Sequence, residues 1–540
     1  MMAKSETQQQ RFLRYSGILT FLVITGFAGL ASAATITISP GTSIADTVAD
    51  STTESGDTIV LNPGVYYENG ISFSKSIIIK ANTSYGHGPR DTIIDGGLSG
   101  NGVFTTSGTS LAIDNLTIRN ASNLNSGGGA IHAVSGNVKV TSSTFTRCSA
   151  ERGGGTANGG AISAEGGSVT VTSSTFTGCS AESSSGTAKG GAISAEGGSV
   201  TVTSSTFIGC SASATSGYPS WGGAIFTSTG SVEITSSTFN GCSIYSTRAL
   251  AIGGAIAARE GNIHFCRFYH DPLGKTLFGT GGSLDATNNW WGTASGPGSS
   301  DIYGVVTTSP WLVPGITTSS STITTADTAT IHANLTYNSG GTDTLTSGSI
   351  PDGTPVRFTA TGGTVSPASA FTENGVATTT FTPSGTGTAT ITATVDDESV
   401  TVPVTVNAPA AGTNVTSIVI DPVTPAKVYA GLDGSGIYRS TDSGGSWTGA
   451  TSQPGNLHIR ALAINPVTRS TLYTGTYGGG IYKSTDSGAT WSACTNTGLA
   501  NLNVLALVSN STGGIYAGTD DGIYTSTDCD TWDPVNSGLP

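Results

Sequence analysis

The sequence predicts an all-β protein in three successive parts: a parallel β-solenoid, a β-sandwich and a set of short repeated sheets. Three observations carry this. From Gly128 a unit of 31 or 32 residues restarts four times, at Gly159, Gly190, Gly222 and Gly253. From Ile316 to about Val406 a Thr-rich stretch alternates apolar and polar residues in short runs separated by turn signals, the mark of a sandwich. A second repeat of about 42–44 residues then fills the rest of the 540-residue chain. Composition agrees. The 77 glycines, two methionines and abundant Ser and Thr disfavour helical bundles, while regularly recurring apolar and β-branched residues exclude long disorder. Charged residues are only 10% of the chain and the net charge is −13, so nucleic acid and anionic membrane are poor partners.

The chain opens as an export signal. Lys4, Arg11 and Arg14 stand against a single Glu6, an apolar run follows from Tyr15 to Leu30, and Ala31-Ser32-Ala33 supplies small residues for cleavage before Ala34. Residues 1–33 are therefore expected to be removed, leaving a mature chain with no membrane span, secreted or displayed at the surface of a prokaryotic cell.

Residues 34–314 are the expected solenoid. Within GGAISAEGGSVTVTSSTFTGCSA, Val169, Val171, Phe176 and Cys179 follow a strand alternation, and one such unit buries its apolar face only against a neighbour. Stacking puts like residues in ladders about 4.8 Å apart. Cys148, Cys179, Cys210 and Cys242, spaced 31, 31 and 32, should form one such ladder. Parallel Cβ vectors at that spacing are wider than a disulfide favours, so the four are read as unbridged internal hydrophobes, with disulfides the alternative that export leaves open.

These GGAI…STF…C units resemble the repeats of polymorphic outer-membrane proteins, within the right-handed parallel β-helix (pectin-lyase-like) class. Residues 43–81 are similar to the opening of many secreted β-helices, which implies a short capping helix buried through Ile44 and Val48. Asn288-Asn289-Trp290-Trp291-Gly292 with Ser295-Gly296-Pro297 resembles the last coil of the same proteins. Pectin-active members use a calcium-binding Asp cluster with a basic residue, or three Asp and a His. The supply here is thin. His87 reads as a turn residue, and Asp91 and Asp95 as flanks of an ordinary strand. Glu165 and Glu196 occupy equivalent corners 31 residues apart and would stack as a carboxylate pair, the one candidate for acid–base work or for holding a cation such as calcium. No cofactor is otherwise implied. His264, Cys266 and His270 lie close enough in sequence to suggest zinc, but alternation sends His264 outward if Ile263 and Phe265 point inward.

Residues 315–407 resemble bacterial Ig-like domains of the invasin and intimin type, through DGTPVRFTATGGTV and ENGVATTTFTPSGTGTATITATV. That implies a rigid spacer. Residues 408–415 read as a linker, and 416–540 as three units. Ser440–Trp447 and Ser484–Trp491 match the Asp-box of sialidase-like (BNR) propeller blades, while Ser526–Trp532 is one residue short. The resemblance implies structural roles for Asp442, Asp486 and Asp528 as turn holders. Trp447, Trp491 and Trp532 would pack between sheets. Sialidase activity needs an arginine triad; the segment offers only Arg439, Arg460 and Arg469, two of them at ordinary strand or loop positions, and no Arg-Ile-Pro motif. Three blades fall short of the four to eight of a closed ring. A longer working form, pairing between molecules, or open edges would each account for it.

Two functions follow. One is an adhesin-like protein that binds extracellular polysaccharide or surface proteins. The other is a polysaccharide lyase or glycosidase acting on the solenoid flank, for which Tyr218, Trp221 and Trp290 are candidate sugar-stacking aromatics, with a buried cap role favoured for Trp290.

Overall fold

The computed structural model describes residues 33–84, 86, 88–125, 127–247, 251–269, 276–407 and 414–539. Most of the expected signal segment, His87, His270 and residues 408–413 of the expected linker lie outside them. The chain is nearly all β, and among the described residues only Ile44–Ala49 is α-helical. It divides into two compact units. The first holds the solenoid and the sandwich, the second essentially residues 406–540.

Each central coil carries five short strands, for example Ile162–Ala164, Val169–Thr172, Thr175–Thr177, Ser180–Ser183 and Ala188–Lys189. Every one pairs in parallel, in register, with its counterpart one repeat away. Val138, Val169, Val200 and Val232 align, and so do Phe145, Phe176, Phe207, Phe239 and Phe268. The first two strands of each coil build one broad sheet, the third builds a second, and the last two form small separate sheets. Those small sheets trap their own alanine-rich cluster around Ala188, Ala212 and Ala214.

The main core lies inside the coil. Its centre is a stack of phenylalanines whose centroids lie 4.9–5.3 Å apart from Phe145 to Phe268, closed by Trp291 at 4.8 Å from Phe268. Cys148, Cys179, Cys210 and Cys242 run beside it, joined by Cys266; all five are buried free thiols. The Sγ of Cys179, Cys210 and Cys242 each donates a weak hydrogen bond to the carbonyl of Phe145, Phe176 and Phe207 respectively.

Paired serines make the corner between the two large sheets. The first of each pair, Ser142, Ser173, Ser204 or Ser236, sits at φ between 46° and 49°. The hydroxyl of the second accepts the N–H of the matching serine one coil back: Ser143 N–H to Ser174 Oγ, Ser174 to Ser205, Ser205 to Ser237, all at 3.1 Å. This side-chain ladder satisfies amides that a corner takes out of sheet pairing. Gly190 and Gly191 show why a glycine pair opens each unit. Gly190 has φ 63°, and a Cβ on Gly191 would lie 2.0 Å from the Gly223 carbonyl oxygen.

Phe265 corrects the expected alternation. It occupies the left-handed corner position (φ 57°), so its ring leaves the coil and lies against Gly348 of the sandwich. Ile263 and Cys266 are the residues that face the core.

Both ends of the solenoid are closed. At the start, Ser43 caps the helix, Ile44 and Val48 enter the core, and the Glu68 carboxylate accepts the Ile44 and Ala45 amides. At the far end, buried Asn289 accepts Cys266 N–H at 2.8 Å and donates to the carbonyls of Ile263 and Ala286. Its amide replaces the serine hydroxyl of the earlier coils.

The sandwich packs a four-stranded sheet against a five-stranded one. Its first strand is Leu312–Thr318, so the chain passes from solenoid to sandwich inside one strand. The tip of the hairpin joining Gly387–Val395 to Glu398–Asn407 returns to the last coil. There Asp396, its side chain 1% exposed, accepts from Arg267 Nε and Nη2 and, at 2.7 Å, from Trp290 Nε1. Trp290 is fully buried, as its cap role expects, and offers no sugar platform.

The second unit contains three four-stranded antiparallel sheets of the same simple order, Val415–Gly449, Ile459–Ala493 and Val504–Pro534. Sequence reading missed a disulfide, Cys494–Cys529, that ties the second sheet to the third.

Candidate binding flank of the solenoid

A polar and aromatic flank runs across four neighbouring coils, with a buried column in the broad sheet and partly exposed residues beside it. Residue pairing sets its columns. His132, Ser163, Ser194 and Phe226 align in the broad sheet and are all buried, while Asn158, Lys189 and Trp221 align, partly exposed, along the small sheet beside it. Glu165 and Glu196 follow at the next corner, their amides bonded to the Ala133 and Ala164 carbonyls.

The two carboxylates sit one coil apart, yet each has its own partner. Glu165 Oε1 meets His132 Nε2 at 3.1 Å, and Glu196 Oε1 accepts from Lys189 Nζ at 2.9 Å. Lys189 also lies over the Trp221 and Phe226 rings, at 5.7 and 5.1 Å from their centroids, and those rings stack at 5.6 Å. A cation paired with a carboxylate and held on an aromatic face is a rigid, partly desolvated arrangement. It offers one partly exposed indole, carboxylate acceptors and an ammonium donor. A cation shared between Glu165 and Glu196 would have to displace both pairs. Tyr218, three residues before Trp221, is 46% exposed.

A cleft of 410 Å³ lies elsewhere in the first unit, between coil residues such as Ser204, Thr206 and Thr238 and sandwich residues Ser349–Thr354. It presents hydroxyls and the carboxylate of Asp352; its one guanidinium, Arg267, is held by Asp396.

The other sequence candidates fall apart from this flank. Asp95 is an ion-pair partner of Arg119 at 2.7 Å. Burial pushes its carboxyl up, but Arg119, the Gly97 amide and Asn120 outweigh that and hold it below the usual range. His264 points out of the coil, with Nδ1 at 2.9 Å from the Thr287 carbonyl, while Cys266 points in, and burial raises its thiol to about 12. These two cannot share a metal. Cys494, Cys529 and Asp530 do converge, but the disulfide consumes both thiols.

The three aspartates expected to hold turns, Asp442, Asp486 and Asp528, do accept hydrogen bonds within them. Asp442 accepts from the Ser440 hydroxyl and from Ser446 hydroxyl and N–H, which lower its pKa to about 2. Asp486 is held at about 2 by the Thr490 hydroxyl and N–H, with help from Ser484 and Ala489. Asp528 accepts from Ser526, Asp530 and Thr531. Trp491 packs against Tyr429 and Ile437 of the sheet before it, and Trp532 against Tyr473 and Ile481. Trp447 departs from the expected inter-sheet packing: it is 43% exposed, because among the described residues no sheet precedes its own.

No protein-family model matches the chain, and no curated protein matches it. Among solved structures it is similar to an ancestral GH74 enzyme (16% identity, TM-score 0.21, 29% of this chain and 25% of that one). It is also similar to YCF48 bound to D1 peptide (20%, 0.20, 27% and 48%). A third likeness is to an auxiliary nutrient binding protein from Bacteroides ovatus (11%, 0.15, 38% and 66%). The chain thus spans a quarter and about half of the first two. Likenesses at these scores carry no argument about activity. No described helix is long and apolar enough to cross a membrane.

Proposed function

We propose that this chain is an exported, non-catalytic, adhesin-like protein that binds extracellular glycans or surface proteins through the solenoid flank. In this reading residues 1–33 are a cleaved signal peptide, 34–314 a right-handed β-helix of the polymorphic outer-membrane type and 315–407 an Ig-like spacer. Residues 416–540, beyond the 408–415 linker, are Asp-box blades. The observation that supports it is the Lys189–Trp221–Glu196 group: an aromatic face with donors and acceptors around it, built on in-register strands that hold it rigid. Carboxylates engaged by His132 and Lys189 suit recognition better than proton transfer, which needs one carboxyl free to hold and release a proton.

The test is retention and turnover together. Residues 34–540 are passed over immobilised plant, algal and bacterial polysaccharides, and the same polysaccharides are assayed for new reducing ends and unsaturated products, with and without calcium. Retention without turnover, weakened at least tenfold by Trp221→Ala, is the expected result. Turnover that disappears in Glu165→Gln or Glu196→Gln would replace this reading with a lyase or glycosidase.

A further inference from the structure

The four in-register thiols of the solenoid form a row of paired ligands. Cys148, Cys179, Cys210 and Cys242 lie one coil apart because the chain around them keeps register. The N–H groups of Ser180, Ser211 and Ser243 donate to the carbonyls of Cys148, Cys179 and Cys210, each at 2.9 Å. The phenylalanines beside them measure the rung: ring centroids from Phe145 to Phe239 are 4.9–5.0 Å apart, and the rings tilt by only 3–6°. Neighbouring strands usually rotate by about 20–25°, so coils this parallel aim equivalent side chains the same way. Each sulfur therefore stands one strand spacing, about 4.8 Å, from the next. A disulfide needs about 2 Å. All four are free thiols no more than 1% exposed.

That separation suits an ion held in line between two sulfurs. A metal–thiolate bond is about 2.3 Å, so a linear sulfur–metal–sulfur unit spans about 4.6 Å, within a few tenths of an ångström of the rung. Tetrahedral zinc is poorly served, because it needs four ligands around one point and the row offers two at a time. Among the described residues, only Cys494, Cys529 and Asp530 bring three possible ligand atoms together. Sulfur selects soft ions. Charge then decides between them. The row lies in an apolar core, where two thiolates around a divalent ion make a neutral unit and a monovalent ion would leave a buried negative charge. The wall over the row is thin: Gly178 and Gly209, which precede Cys179 and Cys210, are exposed, and a Cβ on either would meet nothing within 4 Å.

We infer that the thiol row is a binding site for soft metal ions that accept linear coordination, Hg(II) above all, each held between the sulfurs of adjacent coils. Binding breaks two S–H bonds and forms two metal–sulfur bonds. Both protons pass to water, the ion gives up its solvent ligands, and no electron moves. Four rungs make two such pairs.

The test loads residues 34–540 with Hg(II), either folded or during refolding, and washes with iodide, which competes for an ion held by a single sulfur. Retained metal is counted by elemental analysis and by the ultraviolet thiolate-to-metal band, and circular dichroism checks the fold of each variant. The wild-type chain should retain two ions and, loaded in the same way, no Zn(II). Two double variants keep two thiols of the row each. Cys148→Ala with Cys179→Ala leaves neighbours, Cys210 and Cys242, and should retain one ion. Cys179→Ala with Cys242→Ala leaves Cys148 and Cys210 two rungs apart and should retain none. Equal retention by the two variants, a wild-type chain that retains no Hg(II) by either route, or one that holds Zn(II) as firmly would each overturn the inference.

Discussion

Removing the Phe176 ring tests whether the phenylalanine stack carries the solenoid. Phe176 is fully buried and has an aromatic ring on each side, Phe145 and Phe207, both at 4.9 Å and tilted by no more than 6°. Phe-to-Ala substitution in a core costs about 3–5 kcal/mol, and each aromatic pair adds about 0.5–1.5 kcal/mol beyond area burial. With two pairs lost and in-register strands on both sides limiting collapse, Phe176→Ala should fall at the top of that range, about 5 kcal/mol. Phe145 has one ring neighbour, its other being Ile118, so Phe145→Ala should cost about 1 kcal/mol less. Hydrogen exchange read by peptide provides the assay. In Phe176→Ala, amides of Val169–Thr172 and Thr175–Thr177 and of the coils either side should exchange about a thousandfold faster or more. Those of the Asp-box sheets should be unchanged, since stacked repeats couple mainly to neighbours. A loss below about 2 kcal/mol, or one equal to that of Phe145→Ala, would refute the argument that stacking neighbours set the cost.

Three other perturbations have defined outcomes. Asp396→Asn keeps a side chain that tolerates its φ of 53° but strands the Arg267 charge, so it should cost about 3–5 kcal/mol in thermal unfolding of the first unit. For Asp442 and Asp486 the folded pKa of about 2 lies below the ordinary 3.8; their contribution is present above about pH 4 and lost as pH falls towards 2. Emission from Trp491 and Trp532 should report that acid transition, and Asp486→Asn should flatten its pH dependence. Reducing Cys494–Cys529, which closes a loop with a sequence separation of 35, should destabilise the second unit by about 4 kcal/mol on the chain-entropy estimate. Ellman titration should then find two thiols in the native protein and seven after denaturation, the five solenoid cysteines being shielded until it unfolds.

The 31-residue period made the solenoid readable, because in-register stacking turns each repeated position into a ladder. The valine, phenylalanine and cysteine ladders follow from it directly. Features that depend on partners distant in sequence were not readable. Asp396 lies in Val-Asp-Asp-Glu, which resembles any solvated hairpin tip until Arg267 and Trp290 close on it. Glu165 and Glu196 were correctly placed at equivalent corners, but their partners come from different columns, so equivalence in sequence did not make them a pair. Phe265 failed the alternation because it took over a corner that serine fills in the preceding coils. The disulfide did leave a trace. Cys529 stands in the shortened third aspartate turn, at the left-handed position held by Ser443 and Ser487 in the other two. It and Cys494 are the only cysteines outside the solenoid.

The coil beginning at Gly159 and the coil beginning at Gly190 are nearly the same sequence and make the same strand pairings, corner-serine bonds and ring stacking with their neighbours. Excising residues 159–189 would bring Asn158 against Gly190, whose surroundings already match those of Gly159. The phenylalanine stack, thiol row and serine corner would each close over the gap with one rung fewer. The protein's reach is therefore adjustable in steps of one strand spacing, about 4.8 Å. A duplication or loss of 31 codons changes how far the solenoid extends while leaving both of its caps and the Asp396 lock as they are.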